Sequence, residues 1–151
     1  MAYADAKSVD AGVIPVVDIT PLRDGSDTRA VAEALHAASQ GYGFIYIRGH
    51  GIADDVIDAA RVSAFEFFRS SPELKETVRI SEKHRGWLGR GGAKMHDDAK
   101  ADLKESFIWG YQDDAGATPD EHPLRGPNQW PEFVANMQSA AMNYFNQAHD
   151  V

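Results

Sequence analysis

The chain has 151 residues, a net charge of −8 and no cysteine. Disulfides, thiolate chemistry and cysteine-held zinc are thereby excluded, and the acidic balance disfavours nucleic acid or an anionic membrane surface as a partner. Hydrophobic residues at 43% and charged residues at 25% fit one soluble domain with a real core. No apolar run is long enough to cross a bilayer, and "MAYADAKSVDAG" lacks the apolar centre of a signal peptide, so the expected location is the cytoplasm.

Residues 1–12 are small and polar and are expected to be disordered. "VIPVVDIT" (13–20) is a β-branched run that Pro15 confines to an edge or a strand start. "PLRDGSD" follows as a loop. "TRAVAEALHAASQ" has the helical period, with Val31, Leu35 and Ala38 on one stripe. Asp24, Ser26 or Asp27 can cap its start and Gly41 suits its end. "FIYIR" (44–48) predicts a strand buried on both faces, which "GHG" breaks. "DDVIDAARVSAFEFFRS" predicts a second amphipathic helix with Val56, Ala60, Ala64, Phe67 and Phe68 inward.

Ser71-Pro72 has the form of an N-cap with proline at the first helical position, opening a short helix "PELKETV". Residues 80–103 are polar and glycine-rich and predict no element. "ESFIWGY" (105–111) alternates Ser106 and Ile108 against Phe107 and Trp109, as a strand does. A Pro/Gly/Asp-rich loop follows. Pro131 then opens a last helix with Phe133, Met137, Ala140, Ala141, Tyr144 and Phe145 inward, running to Val151 without a stop signal. Two or three short strands are too few for a self-contained sheet. The expectation is a chain that ends within its last helix and lacks much of its core partner.

Several motifs invite chemistry. "GRGGAK" (89–94) does not complete a phosphate loop, and "GYG" and "GHG" lack the third glycine of a dinucleotide fingerprint. Arg79, Lys83, His84, Arg85, Arg90 and Lys94 form a local basic patch, which is either an attractor for an anionic substrate group or a solvated surface. In "KMHDDAK" (94–100), His96 and Asp98 have the H-x-D spacing of an iron facial triad, and His149 follows far downstream. Such ligands need a rigid scaffold. These sit in a polar loop and near a helix end.

The order of segments is more informative than any one of them. "IPVVDIT", "GYGFIYIRGHGI", "HRGW", "DLKESF" and "GPNQWP" occur in an order and spacing that resemble the N-terminal region of the isopenicillin N synthase-like Fe(II)/2-oxoglutarate-dependent dioxygenases, over about residues 13–148. The resemblance implies an α+β fold, in which N-terminal helices and a few strands pack on a double-stranded β-helix, or jelly roll, most of which is missing from this chain. It implies Fe(II) and 2-oxoglutarate as cofactors, held by residues beyond Val151. It therefore makes His96, Asp98 and His149 a decoy. It implies that the partners are a small-molecule substrate and the remaining C-terminal jelly-roll portion of the same protein.

Matched residue by residue, the resemblance points to His84 and Arg85 of "HRGW", then Ser106 and Ile108 of the "KESF" strand, as substrate-binding groups. Phe107 and Trp109 would face the packing side. Arg85 could hold a substrate carboxylate by a bidentate pair; the alternative is that Arg85 pairs with a surface acid and Ser106 simply packs. No catalytic residue and no metal ligand is expected within the chain. Two rival readings stand: a non-catalytic module that binds a partner or ligand, and a small metalloprotein built on His96, Asp98 and His149.

Overall fold

The computed structural model describes residues 14–41, 43–92, 102–111 and 124–151. It is a mixture of short strands and helices in two compact units, one reaching to Gly51 and the other spanning Ile52–Asp150.

In the first unit, β1 (Val16–Asp18) starts directly after Pro15 and pairs in parallel with β2 (Tyr46–Arg48), Val17 opposite Ile47. Two further bonds extend the ladder, from Tyr46 N–H to the Pro15 carbonyl and from Ile19 N–H to the Arg48 carbonyl. Between the strands lie α1 (Thr20–Arg23) and α2 (Thr28–Gly41). The turn α1 falls where the sequence predicts only loop, with Pro21 suited to its first positions. Asp27 caps α2, accepting a bond from Ala30 N–H at 3.0 Å. Val31 and Ala38 are buried and Leu35 packs beside Val31, as the sequence stripe predicts, and Val17 and Ile19 complete this small core.

Strand β2 departs from expectation. It is exposed along its length, with Phe44, Tyr46 and Ile47 all open. Its composition fits a buried strand, but burial needs neighbours, and β1 supplies only one edge.

In the second unit, α3 (Asp54–Arg69) lies against α5 (Met137–His149). The predicted inward face of α3 holds: Val56 and Phe67 are buried, Ala60, Ala64 and Phe68 partly so. Phe67 is wholly enclosed and is the centre of the core, its ring edge-on to Phe107 at 4.8 Å and stacked with Phe133 at 5.9 Å. Val78, Trp87, Val134 and Met137 complete the cluster. Helix α4 (Pro72–Glu76) starts after Ser71, whose side chain makes no cap bond to the helix N–H groups.

Two strands follow, β3 (Gly86–Leu88) and β4 (Ser106–Ile108), paired antiparallel with Trp87 opposite Phe107. The sequence predicts no element at β3 and a longer strand at β4. Residues 131–136 form turns rather than helix, with bonds from Val134 to Pro131 and from Met137 to Val134 at three-residue spacing. The last helix therefore opens at Met137, not Pro131, and it closes at His149, with Asp150 as its cap, rather than continuing to Val151. Among the described residues, no helix is long and apolar enough to cross a membrane.

Candidate functional site

The β3–β4 pair organises the predicted substrate-binding residues. Its register sets Ser106 opposite Leu88 and Ile108 opposite Gly86, one residue from Arg85. Phe107 and Trp109 turn the other way into the core, where their rings are 6.3 Å apart. Ser106 and Ile108 are half-buried on the opposite face. A cleft of about 360 Å³ lies on the core side, among Ala60, Ala64, Phe68, Trp109, Met137 and Tyr144, and so is separate from that face.

Arg85 comes into the hairpin from a tight turn. Ser81 N–H donates to the Arg85 carbonyl at 2.8 Å and His84 N–H to the Ser81 carbonyl at 3.0 Å. His84 takes φ 56°, a left-handed conformation that allows the chain to reverse here. His84 itself is exposed. Gly86 then takes φ 113°, and a Cβ there would lie 2.5 Å from the Val78 carbonyl oxygen, so only glycine fits.

Arg85 is buried, at 8% exposure. Its Nη1 donates to the carbonyls of Lys83 and His84 at 3.4 and 3.3 Å. Its Nε has no partner, and no ion pair joins Arg85 to a carboxylate among the described residues. The expected alternative, a surface acid, is thus not what holds it. A Cβ on Gly110 would lie 2.9 Å from Arg85 Nη2. The guanidinium therefore lies beside the backbone of Gly110, just past the end of β4. Of the rest of the basic patch, Arg79 is taken by Glu76 at 3.1 Å, and Lys94 lies outside the described residues.

A second polar group braces the hairpin from behind. Lys75 Nζ donates to Glu105 Oε2 at 2.7 Å and to the Phe68 carbonyl at 3.2 Å. Trp87 Nε1 donates to the same Glu105 oxygen at 2.8 Å. Burial pushes the Glu105 carboxyl up, but the bonds from Lys75 and Trp87, with the charges of Lys75 and Arg90, outweigh it and hold the group below its ordinary value of 4.5. Glu105 gives "DLKESF" a structural meaning that sequence reasoning missed.

"GPNQWP" has one too. Trp130 joins the core, and Asn128 and Gln129 bond to the backbone of residues around Arg85.

His96 and Asp98 lie outside the described residues. His149 stacks on Phe145 with ring centroids 6.4 Å apart and stands edge-on to Tyr111. Among the described residues, no three His, Asp or Glu side chains could hold a metal ion.

A family model described as non-haem dioxygenase in morphine synthesis, N-terminal, matches residues 14–133. A homoarginine-6-hydroxylase of Arabidopsis thaliana is 32% identical over 136 residues, 79% of this chain and 36% of that protein. A 2-oxoglutarate-Fe(II) type oxidoreductase of Metarhizium majus is 32% identical over 62% of this chain and 26% of its own. Among solved structures, a full-length Neurospora crassa protein in complex with alpha-KG superposes with a TM-score of 0.67 at 28% identity, over 89% of this chain and 42% of that one. The chain spans less than half the length of each of these relatives. With 14–133 matched and the β3–β4 hairpin inside that span, the chain belongs to the N-terminal-region family of the non-haem dioxygenases.

Proposed function

We propose that this chain is the substrate-side, N-terminal portion of an Fe(II)- and 2-oxoglutarate-dependent oxygenase. The complete protein would hydroxylate, desaturate or cyclise a small molecule. One relative is named for that cofactor pair and a solved one is described in complex with alpha-KG, and this chain covers only 26% and 42% of the two. The described residues do not themselves fit the iron, because no three suitable side chains among them could hold a metal ion. The resemblance, and the share of each relative that this chain leaves uncovered, support assigning iron and 2-oxoglutarate to a jelly-roll portion outside this chain.

What these residues supply is recognition and placement. The observation that carries the reading is Arg85: a buried guanidinium with a free Nε–H and no acid partner among the described residues, beside Gly110 just past the strand that carries Ser106 and Ile108. A buried cation without a counter-charge is costly. An anionic group on the substrate, ideally a carboxylate, would complete it. Ser106 would add a hydroxyl, Ile108 an apolar wall, and exposed His84 a donor at the rim.

The test measures succinate release from 2-oxoglutarate and iron content, for this chain and for the chain extended through a jelly-roll portion. The extended protein is expected to bind one iron and turn over 2-oxoglutarate, equally well with His96→Ala and Asp98→Ala. Tight one-to-one iron binding by this chain, lost in that double variant, would move the metal site here and overturn the reading.

A further inference from the structure

Two adjacent amides hold the slot in which Arg85 lies. Asn128 pairs with both backbone groups of Gly110, accepting from its N–H at 3.0 Å and donating to its carbonyl at 2.9 Å. Gly110 is the wall against which the guanidinium rests. Gln129 Nε2 donates to the Arg79 carbonyl at 2.7 Å and to the Arg85 carbonyl at 2.6 Å. Both strands of the loop that carries Arg85 are thus tied to one side chain. The approach is close: a Cβ at Gly86 would lie 2.7 Å from Gln129 Nε2. One amide fixes the wall and its neighbour fixes the backbone bearing the cation.

We propose that Asn128 and Gln129 are positioning residues that act through Arg85, setting the direction in which its free Nε–H meets a carboxylate. The proposal rests on Arg85 being the anion-binding group. Neither amide touches the substrate. Two bonds from one planar amide leave the loop little freedom, and a guanidinium binds a carboxylate well only when its N–H fork is aligned. A glutamine needed for packing alone would act equally on every part of the hairpin. Here its bonds end on Arg85 and on the residue that flanks the same turn.

The test uses the 15N-labelled chain and follows two N–H signals, Arg85 Nε–H and Trp87 Nε1–H. Trp87 reports the Glu105 bond behind the hairpin and hence intact folding. The anion probe is sodium acetate against sodium chloride at equal ionic strength. In Gln129→Leu, which keeps bulk and loses both donors, the Arg85 signal is expected to move and to exchange about tenfold faster, as a locally released group does. Its acetate-induced shift at fixed concentration should fall by about fivefold, the loss of one ordinary hydrogen bond's worth of alignment. The Trp87 signal should stay.

Asn128→Asp keeps the acceptor for Gly110 N–H and loses the donor to its carbonyl. It should move Arg85 the same way by less, and it decides the matter if Gln129→Leu loses the Trp87 signal. An Arg85 signal unmoved in a folded variant, with an unchanged acetate response, overturns the positioning role. No acetate response in the unaltered chain instead overturns the anion-binding reading, while the exchange rates still judge the clamp.

Discussion

Lys75 and Glu105 are joined at 2.7 Å beneath the β3–β4 hairpin, with the lysine only 5% exposed and Trp87 bonded to the same carboxylate oxygen. Removing one member leaves the other charge buried and unmatched. Lys75→Met is therefore expected to destabilise the second unit by about 3–5 kcal/mol, far more than a surface ion pair would cost. Urea unfolding followed by tryptophan emission measures it, since Trp87, Trp109 and Trp130 all lie in that unit. Adding Glu105→Leu should recover part of the loss, and a fully additive double variant would show that the two residues do not act as a pair.

The same carboxylate predicts a pH dependence. Glu105 is held below 4.5 in the folded chain, so the unfolded chain binds the proton more readily. Stability from this group is present above 4.5 and is lost as pH falls through the folded value. The urea midpoint of the second unit should drop over that acidic window, and less steeply in Glu105→Gln. Identical slopes in the two proteins would remove Glu105 from the account.

Gly86 makes a sharper local test. With φ 113° and the Val78 carbonyl 2.5 Å from where a Cβ would lie, Gly86→Ala must displace the hairpin or the turn before it. A loss of about 1–3 kcal/mol follows from the backbone conformation alone, before the clash is counted. Thermal unfolding of this variant beside Gly25→Ala, a positive-φ glycine with open space where a Cβ would lie, separates the two contributions.

How much of this was legible in the sequence depends on how local each cause is. The inward faces of α2 and α3 were, because Val31 and Ala38, or Val56 and Phe67, repeat within a few turns of one helix. The alternation of Ser106 and Ile108 against Phe107 and Trp109 was legible for the same reason. Strand β3 was not: "GWL" is too short to carry a pattern, and it is a strand because β4, further along the chain, pairs with it. The exposure of β2 was not, since the residues specify an apolar strand but not what covers it. The site divides likewise. His84, Arg85, Ser106 and Ile108 are nominated only through the family resemblance of their segments. The roles of Asn128 and Gln129 rest on bonds that span 18 and 44 residues, and no local signal encodes those.

The open strand of the first unit gives a prediction of its own. Phe44, Tyr46 and Ile47 are 75%, 55% and 42% exposed, a concentration of apolar surface unusual for a covered strand. The chain should enhance the fluorescence of a hydrophobic dye, and Phe44→Ser with Ile47→Ser should remove most of that enhancement. Tryptophan emission from the second unit should not change. Dye binding that survives the double variant would place the exposed apolar surface elsewhere.

If the proposed function holds, Arg85 gives its most direct test. In the complete oxygenase, Arg85→Ala should weaken capture of an anionic substrate by about 1.5–3 kcal/mol, the usual worth of a hydrogen bond to a charged group. That corresponds to a fall in kcat/KM of roughly tenfold to a hundredfold. If the guanidinium only anchors substrate, KM carries the change and kcat holds; if it aligns the reacting carbon, kcat falls as well. Arg85→Lys keeps the charge but loses the planar fork, and should recover only part of the activity. Iron content and the 2-oxoglutarate requirement should be the same in all three proteins, since Arg85 binds neither in this reading. Loss of activity could also come from a disturbed loop, because Arg85 Nη1 ties the carbonyls of Lys83 and His84. A neutral analogue of the substrate lacking its carboxylate separates the two: it should be turned over equally by the native protein and Arg85→Ala. Equal kcat/KM for the anionic substrate in those two proteins would return Arg85 to a structural role.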